Sequence, residues 1–522
     1  MPIAQSRRGR DSLVWPLCQM AIMIRQATAN GVESRSVSQT DWGHSMHCNK
    51  HTSTVFGNQA RTLIALVLVL QLPAVGGTRW PQFRGVNGQG IADGDTPPIE
   101  FGPARNLLWK TPLPPGHSCP CIWDDRIFLT ANDKGKLQTI CMDRATGKVL
   151  WRQTAPAQKL ERINGTNSHG TPTPVSDGQR VYVFFGSYGL IAYDFQGNEQ
   201  WRRPLPIFNV RHGTAASPIL AGNRLIVNGD QEDWKSFLIA VDPANGQTLW
   251  QVPRPACFSS HTTPVYWQRD NAEEVIVAGS IRLVAYDAKD GSERWSCSGL
   301  EAISICPSPV IGDSMVFAMS YSMDEKLPTF DQLLAKADRN GDGKITPDES
   351  PKIVRDIFPI IDMNRDNLIT RDEWDTNFRI FKEADNGLFA LRAPDRGDVT
   401  STHVLWKEKR GLAEVASPLY YRGRVFMVRS GGMASCFDAK TGKAFYQAKR
   451  LGADGQYYAS PIAAEGKIYT ASTLGVISVI EAADALNVLA RNDLGESIVA
   501  TPAIVDHKLY VRTAEHLWAF GK

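Results

Sequence analysis

The stretch from Met142 to Trp151, MDRATGKVLW, decides the fold because imperfect copies of it recur along the chain. The copies end at Trp201, Trp250, Trp295 and Tyr446. Each copy runs from an apolar segment into Asp, carries Gly in a short loop that needs a positive φ, and closes on a large aromatic residue. The pattern predicts a β-hairpin. Because one hairpin cannot bury its own apolar face, we expect each aromatic side chain to pack on a neighbouring copy.

A second phrase fixes the number of repeats. It consists of Ser, Thr or Cys followed by Pro, a turn that often holds Gly, and then an apolar strand. The phrase occurs eight times, at Pro120, Pro174, Pro218, Pro264, Pro309, Pro418, Pro461 and Pro502. The successive gaps are 54, 44, 46, 45, 109, 43 and 41 residues, so the long gap in the fifth unit holds an insertion. Each unit has room for four short strands, which is the size of a propeller blade.

The two ends of the repeat region complement each other. Residues 107–110 form an outer strand with no blade of its own, and the last unit stops at residues 517–521 without an outer strand. We therefore expect the two ends to share one blade and close the ring, which leaves no open sheet edge. The predicted fold is an all-β, eight-bladed propeller made of residues 78–323 and 387–522.

Composition and charge describe an ordinary globular protein. The 522 residues are 43% hydrophobic and 21% charged, which allows a large core. The formal net charge of +3 is too small to indicate binding to nucleic acid or to a membrane surface. The nine cysteines show no spacing typical of a zinc site. Cys119 and Cys121, one residue apart, have the spacing to pair, and we interpret them as two small buried hydrophobic residues.

Residues 1–77 are predicted to be an N-terminal extension that contains a signal peptide. Arg61 precedes an apolar run at about 63–72 and a small-residue exit, the pattern of a secretory signal. The run is shorter than the ~20 residues that a membrane span needs, so no transmembrane span is expected. Because the run begins late, Met46 is an alternative to Met1 as the initiator. No Cys follows the run closely, so we expect an exported, periplasmic or secreted protein without a lipid anchor.

The repeated phrase resembles the tryptophan-docking motif of pyrroloquinoline-quinone (PQQ)-type eight-bladed propellers. That superfamily includes the quinoprotein dehydrogenases and the BamB-type outer-membrane assembly factors. The segment from Trp80 to Gly85, WPQFRG, also resembles the start of a group of exported bacterial propellers of undetermined role. The resemblance covers residues 80–323 and 387–522. The copies in blade five (391–406) and blade seven (from Ile480) lack the Thr-Gly turn, which leaves the regularity of those two blades open.

The insertion, residues 324–386, matches the twelve-residue EF-hand calcium loop twice. Calcium prefers six to eight oxygen ligands, which carboxylates, amides and backbone carbonyls supply. The predicted ligands of the first loop are Asp338, Asn340, Asp342, Lys344 through its carbonyl, Thr346 directly or through water, and Glu349 through both carboxylate oxygens. Those of the second loop are Asp362, Asn364, Asp366, Leu368 through its carbonyl, Thr370 and Glu373. Gly343 takes the sharp turn in the first loop, and Asn367, which tolerates a left-handed backbone, takes it in the second.

Apolar residues around the loops have helical spacing. One stripe contains Phe330, Leu333, Leu334 and Ala337, and another contains Trp374, Phe378 and Phe381. Only residues 350–361 separate the loops, so we expect one short helix to serve both. Ile345 and Ile369 occupy matching positions and are expected to pair the loops through a short β contact. A module of this size has little core of its own, and calcium would help it to fold; whether calcium also regulates the protein stays open.

Four histidines precede the inner strands of the first four blades: His117, His169, His212 and His261. Antiparallel strands place the connections before them on the same face as the connection that carries the insertion, which follows the second strand of blade five. Imidazoles at the mouth of the central channel would bind a metal or an anionic ligand, or transfer protons. The alternative is that they make hydrogen bonds to loop carbonyls and waters. The later blades have no histidine there, so a symmetric ring of histidines is excluded.

Two function classes follow from these patterns. A quinoprotein dehydrogenase is implied by the resemblance, with PQQ in the channel mouth, calcium on the quinone and a catalytic carboxylate. Enzymes of that family commonly stack the cofactor on adjacent cysteines, and this sequence has no Cys-Cys pair and no recognisable acid–base motif. We therefore favour a non-catalytic scaffold that binds a protein, peptide or glycan on its calcium-bearing face. A BamB-like assembly role and a purely structural envelope protein are further forms of this class.

Overall fold

A computed structural model describes residues 79–522 apart from 233–234, 255–256, 258, 270–271, 281, 301–303, 322–327, 363–365, 376–385 and 395; in residues 352–361 it does not describe the side chains at 353, 356, 357, 359 and 360. The proposed signal sequence at 63–72, the choice between Met1 and Met46, and the helical positions Phe378 and Phe381 lie outside the described residues. Neither described helix is long and apolar enough to cross a membrane.

The repeats form eight antiparallel sheets of four principal strands, A to D from the centre outward, which confirms the predicted eight-bladed propeller. Blades one and two consist of Cys121–Trp123, Arg126–Asp133, Lys136–Asp143 and Val149–Thr154, and of Val175–Ser176, Arg180–Phe185, Gly189–Asp194 and Glu199–Pro204. Blades three and four consist of Ile219–Ala221, Arg224–Gly229, Phe237–Val241 and Thr248–Pro253, and of Val265–Arg269, Ala272–Ala278, Arg282–Asp287 and Glu293–Ser298.

The second half of the ring follows the same plan. Blades five and six consist of Val310–Gly312, Met315–Met319, Leu388–Arg392 and Val404–Glu408, and of Leu419–Tyr421, Arg424–Arg429, Met433–Asp438 and Ala444–Arg450. Blades seven and eight consist of Ile462–Ala464, Lys467–Ala471, Val476–Glu481 and Val488–Asp493, and of Ala503–Val505, Lys508–Arg512, His516–Phe520 and Leu107–Pro112. Blades five and seven therefore keep four strands although they lack the Thr-Gly turn.

The ring closes as the sequence predicts. The early strand Leu107–Pro112 pairs antiparallel with His516–Phe520 and becomes the outer strand of blade eight. Short strands in the described part of the chain add to the blades. Arg79–Trp80 pairs with the inner strand of blade one, and Gly397–Asp398 pairs with the outer strand of blade four. Ser259–Ser260 pairs with Ser304–Ile305 between two loops. Closure pairs the two ends of the repeat region in one sheet, which removes the strand edge that each would otherwise expose.

Tryptophans join consecutive blades, as the repeat predicts. The indole N–H of Trp109, Trp151, Trp201, Trp250 and Trp406 each donates to a loop carbonyl of the following blade at 2.8–3.1 Å. The five rings press on the loop glycines Gly147, Gly197, Gly246, Gly291 and Gly442, which all have positive φ. A side chain at these positions would collide with the tryptophan ring, and a positive φ is unfavourable for other residues. Glycine is therefore required there for two reasons.

Trp295 of blade four departs from this arrangement. Its indole donates to Glu274 Oε1 of its own blade at 3.2 Å. The reason is that blade five lacks the glycine-bearing turn on which the ring would dock. Glu274 is fully buried and also pairs with Arg269 at 2.7 Å and Arg294 at 3.1 Å, so an ion-pair cluster takes the place of the docking contact.

The main core lies between neighbouring blades, where the apolar faces of adjacent sheets meet. Tyr182 and Phe184 of blade two, for example, pack in one cluster with Leu225 and Val227 of blade three. All four side chains are buried. This repeated interface gives a rigid scaffold whose variable parts are the connections between strands.

Residues 79–102 cross the centre of the ring before the chain reaches blade eight. Trp80 pairs with Ile122 on the inner strand of blade one. The backbone N–H of Ala92 donates to the Ala463 carbonyl of blade seven at 2.9 Å. This N-terminal segment therefore contacts the inner strands of blades one and seven.

The insertion leaves the propeller after Met319 and returns at Leu388, between strands B and C of blade five, as predicted. It contains helix α1, Phe330–Ala337, and helix α2, Lys352–Ile361. Its buried core comprises Phe330, Leu333, Ala337, Ile345, Val354, Phe358, Ile361, Ile369 and Trp374. Thr329 caps helix α1 and forms a capping box with Gln332. At the base of the insertion, Ser320 Oγ donates to Asn386 Oδ1 at 2.8 Å.

Candidate functional site

The first calcium-type loop begins where helix α1 ends, at Asp338. The Asp338 carboxylate accepts the backbone N–H groups of Gly341 at 2.7 Å and Gly343 at 3.0 Å. Gly343 has φ of 74°, so it supplies the sharp turn that the motif predicts. Asn340 Oδ1 accepts from the N–H of Asp342 at 3.0 Å, which folds the loop around its side-chain oxygens.

Glu349 closes the first loop. Its Oε2 accepts from Thr346 N at 3.0 Å and Thr346 Oγ1 at 2.8 Å, and its Oε1 accepts from Arg339 N at 3.1 Å. These hydrogen bonds lower the pKa of Glu349 to about 2. The carboxylate is therefore charged at every physiological pH, as a metal-binding oxygen must be. Lys344, expected to contribute its carbonyl, donates its own N–H to Asp342 Oδ1 at 2.8 Å.

The second loop repeats the first. The Asp362 carboxylate accepts from the N–H groups of Asp366 at 3.1 Å and Asn367 at 2.9 Å. Glu373 Oε2 accepts from Thr370 N at 2.9 Å and Thr370 Oγ1 at 2.7 Å, just as Glu349 does with Thr346. Asn367 has φ of 63°, the left-handed conformation expected at this position. Leu368 donates its N–H to Asp366 Oδ1, and Asn364, the remaining predicted ligand, lies outside the described residues.

The two loops are paired. Ile345 and Ile369 form an antiparallel bridge with N–H to carbonyl distances of 3.1 and 2.8 Å, and both side chains are fully buried. Helix α2 leads out of the first loop and into the second, so a single helix serves both. The donor set fits calcium, because the described candidate ligands offer only carboxylate, amide, hydroxyl and backbone carbonyl oxygens. Three carboxylates in each loop also supply the negative charge that a divalent ion needs.

The histidines lie in the loops before the inner strands, and only two of them meet. The rings of His212 and His261 are 6.0 Å apart in an edge-to-face arrangement, and no other pair among the four makes a ring contact. Burial, reinforced by Arg211, lowers the pKa of His212 to about 4, and burial lowers the pKa of His261 to about 3. Both rings are therefore neutral at pH 7. Nε2 of His261 has no hydrogen-bond partner among the described residues.

The His169 side chain is held by loop contacts, and the backbone N–H of His117 donates to the Gly170 carbonyl at 3.1 Å. Nε2 of His169 donates to the Glu161 carbonyl at 2.9 Å, and its Nδ1 lies 3.1 Å from Asn132 Nδ2. Because a carbonyl only accepts, the ring is fixed with the proton on Nε2, and neither nitrogen is left for a metal. Burial, with the nearby Arg512 charge, lowers the pKa of His117 to about 4. For His169 the structure thus favours the loop-bonded interpretation.

Glu161, which no sequence motif singles out, lies in the same loops. Its Oε2 accepts from Thr214 N at 3.1 Å and Thr214 Oγ1 at 2.7 Å. Burial raises the pKa of the Glu161 carboxyl to about 7, and the Thr214 hydrogen bonds oppose this only in part. A carboxyl that titrates near neutral pH is suited to acid–base chemistry. The only sequence signal is an acidic residue eight positions before His169.

The small residues before the eight repeat prolines form a ring around the channel. The backbone N–H of each of the first seven donates to the side-chain oxygen of the next at 2.9–3.1 Å, in the order Cys119, Thr173, Ser217, Thr263, Ser308, Ser417, Ser460 and Thr501. Thr501 interacts in turn with Cys119, which closes the circle. We call these residues the hydroxyl ring. It explains why the phrase demands Ser or Thr before Pro, and it joins every blade to both neighbours.

Comparison with known proteins supports both parts of this description. The family model described as outer membrane protein assembly factor BamB matches residues 101–253 and 138–332. The EF-hand family model matches residues 330–349 and 354–378. The chain is an eight-bladed β-propeller that matches the BamB family model over residues 101–332, with an insertion that matches the EF-hand model. None of the curated proteins matches the sequence significantly.

Solved structures with the same architecture are distant in sequence. Quinohemoprotein alcohol dehydrogenase from Comamonas testosteroni is 11% identical, with a TM-score of 0.52 over 85% of this chain and 81% of its own. The computationally designed Ika8 protein is 11% identical, with a TM-score of 0.50 over 80% of this chain and 99% of its own. BamB from Moraxella catarrhalis is 13% identical, with a TM-score of 0.48 over 79% of this chain and 98% of its own. At such identities the likeness to the first two concerns the fold alone.

One further cluster of titratable residues lies on the propeller. Glu496, Glu515 and His516 are the only His, Cys, Asp or Glu group of three in the described chain whose possible ligand atoms lie within 4.8 Å of one another. Lys110 Nζ and His516 Nδ1 contact the Glu496 carboxylate at 2.8 and 2.9 Å. These contacts, with Thr513, lower the pKa of Glu496 to about 2. The cluster therefore works as an ion-pair network on blades seven and eight.

None of the seven described cysteines forms a disulfide, and six of them are buried. Cys119 belongs to the hydroxyl ring, and Cys121 lies on the inner strand of blade one. Burial raises the pKa of both thiols, so both are protonated at neutral pH. The interpretation of this pair as small buried residues, without a bond between them, therefore agrees with the structure.

Proposed function

We propose that this protein is an exported, calcium-binding β-propeller that acts as a non-catalytic binding scaffold. Two EF-hand loops would hold Ca²⁺, and the connections on the same face would bind a protein, peptide or glycan. The observation that carries the proposal is the pairing of two EF-hand-type loops through the Ile345–Ile369 bridge. An acidic surface loop has no reason to repeat itself with the same turn, the same closing Thr–Glu contact and a shared helix.

The scaffold part of the proposal rests on the construction of the ring. The sheets are held together by the docked tryptophans, the hydroxyl ring and the shared blade eight. A rigid ring of this kind is suited to present its loops to a partner. Export is supported by the signal-like sequence at 63–72 and by the BamB-type family match. N-terminal sequencing of the exported protein is expected to find the chain cut after that run. A mature chain that retains Met1 would contradict export through this signal.

Calcium is expected to act first as a stabiliser of the inserted module. Six of the candidate ligands in the two loops are carboxylates, and calcium would offset their repulsion. Thermal unfolding in calcium and in excess chelator measures this directly: calcium should raise the unfolding temperature of the module. The variant Glu349→Gln should lose the effect of the first loop, while Asp348→Asn, which changes the neighbouring acid, should keep it.

A partner-capture experiment distinguishes a scaffold whose binding is regulated by calcium from one in which calcium only stabilises the structure. The purified protein is used to capture partners from an envelope extract, with calcium and with chelator, beside the Glu349→Gln/Glu373→Gln variant. A partner that is lost with chelator and with the variant identifies calcium-regulated binding. A partner retained in all conditions identifies a structural role for calcium. No partner in any condition would contradict the scaffold proposal.

A PQQ-dependent dehydrogenase is the second candidate, and Glu161 is the observation that favours it. This buried carboxyl, with a pKa of about 7, could serve as a base in the loops that also carry His212. The test is to add PQQ with calcium and measure stoichiometric binding and alcohol-dependent dye reduction. Activity that disappears in Glu161→Gln would establish the enzyme. Absence of both binding and reduction would leave the scaffold.

A further inference from the structure

Arg84 is a buried arginine at the centre of the propeller. It belongs to the turn WPQFRG, in which Gly85 N donates to the Gln82 carbonyl at 2.9 Å and the Trp80 ring covers Gly85. Arg84 itself has φ of 60°, a conformation that costs a non-glycine residue energy. The turn thus directs a charged side chain into the interior, where only 1% of the residue is exposed.

The Arg84 side chain reaches the level of the hydroxyl ring. Its Nη2 donates to the carbonyl of Pro418, the residue after Ser417 of the ring, at 2.8 Å. A Cβ on Gly90 would lie 3.3 Å both from Arg84 Nε and from the carbonyl oxygen of Pro461, the residue after Ser460 of the ring. The guanidinium therefore lies beside the hydroxyl ring, next to blades six and seven.

The charge of Arg84 is not balanced by the protein. No carboxylate in the described part of the chain forms an ion pair with it, and its Nε and Nη1 groups have no hydrogen-bond partner there. Burial lowers the pKa of Arg84 to about 9, so the group is still charged at pH 7. An uncompensated buried charge and two idle donors are costly, and natural proteins rarely keep them without a partner.

The hydroxyl ring adds more donors. Each of its seven hydroxyls accepts one backbone N–H, and apart from contacts with the Cys119 thiol none donates its own O–H to an acceptor among the described residues. The indole N–H of Trp80, in the same turn as Arg84, also has no partner there. The centre of the propeller therefore holds a positive charge and several unused donors, and no carboxylate among the described residues balances Arg84. Water would satisfy the donors, but only an anion would satisfy the donors and the charge together.

We propose that Arg84 and the hydroxyl ring form a buried site for one small anion of the halide class. The near-complete burial of Arg84 excludes large ligands, because a bulky group could not enter without opening the ring. The site would make the N-terminal segment part of the scaffold: the anion would join residue 84 to the hydroxyl ring. This inference does not depend on calcium or on the proposed function.

Arg512 provides the matched control. It is equally buried, and its Nη1 and Nη2 donate to the carbonyls of Ser118, Thr130 and Pro114 and to Ser118 Oγ. Like Arg84 it has no carboxylate partner among the described residues, and its pKa is lowered to about 10 by burial. Both terminal nitrogens of Arg512 therefore have protein acceptors, whereas Nε and Nη1 of Arg84 have none among the described residues. A conservative change at Arg512 should therefore affect stability without affecting anion binding.

Thermal unfolding at constant ionic strength tests the site. Sodium bromide replaces sodium gluconate, whose anion is too large to enter. The expected result is a saturable rise in Tm for the wild type, loss of that rise in Arg84→Met, and its retention in Arg512→Lys. In gluconate, Arg84→Met should be at least as stable as the wild type, because it removes an uncompensated charge. A wild type insensitive to bromide, or a bromide effect retained in Arg84→Met, would overturn the proposal.

Crystals grown in bromide decide the matter even if Arg84→Met fails to fold. Anomalous scattering from the wild-type protein should show one buried bromide in contact with the Arg84 guanidinium. A guanidinium surrounded only by water, with bromide confined to the surface as an adventitious ion only, would contradict the site.

Discussion

Trp151 of blade one packs on Gly197 of blade two: its indole N–H donates to the Phe195 carbonyl at 2.9 Å, and a Cβ on Gly197 would lie 2.8 Å from Trp151 Cδ2. The repeated Gly and Trp of the sequence therefore make one contact, in which the glycine of one blade receives the aromatic ring of the blade before it. The repeat is the joint between blades.

Replacement of Gly197 by Ala should weaken this joint. The variant suffers twice, because φ at Gly197 is 89° and because the new methyl group would collide with Trp151. Gly423→Ala is the matched control, since Gly423 has φ of 75° with open space around it. We expect Gly423→Ala to cost about 1 kcal/mol of unfolding free energy, and Gly197→Ala to cost about 2 kcal/mol more. Denaturant unfolding measures both, and equal losses would show that the ring contact contributes nothing.

The fold could be predicted from the sequence because the repeat states it many times. Eight Pro phrases give the number of blades, and the unmatched strands at 107–110 and 517–521 give the closure. The calcium-type loops are predictable for a related reason: their ligands are consecutive in sequence, so Asp338 to Glu349 describes a complete local structure. Both predictions depend on short-range patterns.

Contacts between distant residues could not be predicted. Nothing near Arg84 in the sequence indicates that it would meet Pro418, more than three hundred residues later. The partner of Trp295 was likewise beyond prediction, because the loss of the glycine turn in blade five does not say that Glu274 would replace it. The histidines show the same limit. The spacing that predicts His169 in a loop before an inner strand does not predict that its Nε2 would donate to the Glu161 carbonyl.

The buried histidines should make the protein sensitive to acid. The pKa values of His117 and His212 are about 4 in the folded protein, the pKa of His261 is about 3, and the ordinary value is about 6.5. Below pH 6.5 the unfolded chain binds protons that the folded chain does not, so stability falls as pH drops towards 4. His261→Gln should reduce this fall, measured as the pH dependence of unfolding free energy. His403→Gln, at a surface histidine, is the control, and an unchanged slope in His261→Gln would contradict burial of a neutral ring.

Glu161 should have the opposite effect. Its folded pKa of about 7 lies above the ordinary value of 4.5, so the folded state holds a proton that the unfolded state releases. The contribution of Glu161 is therefore most favourable below pH 4.5 and is lost as pH rises to 7, by roughly 1.4 kcal/mol for each pH unit between the unfolded and folded pKa values. Glu161→Gln should be more stable than the wild type at pH 8 and lose this pH dependence. The exposed Glu481→Gln should behave as the wild type; a Glu161→Gln variant destabilised at pH 8 would show that the carboxylate form is required.

Direct titration of the purified protein with calcium tests the central claim, that the insertion is a working EF-hand pair on a rigid propeller. Isothermal calorimetry should find one ion for each of the two loops. Glu349→Gln and Glu373→Gln should each remove one site, since each removes a carboxylate oxygen at the position that closes its loop. Asp348→Asn should retain both sites. A wild-type protein that takes up no calcium at millimolar concentration, or a Glu349→Gln/Glu373→Gln variant that binds as the wild type does, would contradict a working EF-hand pair.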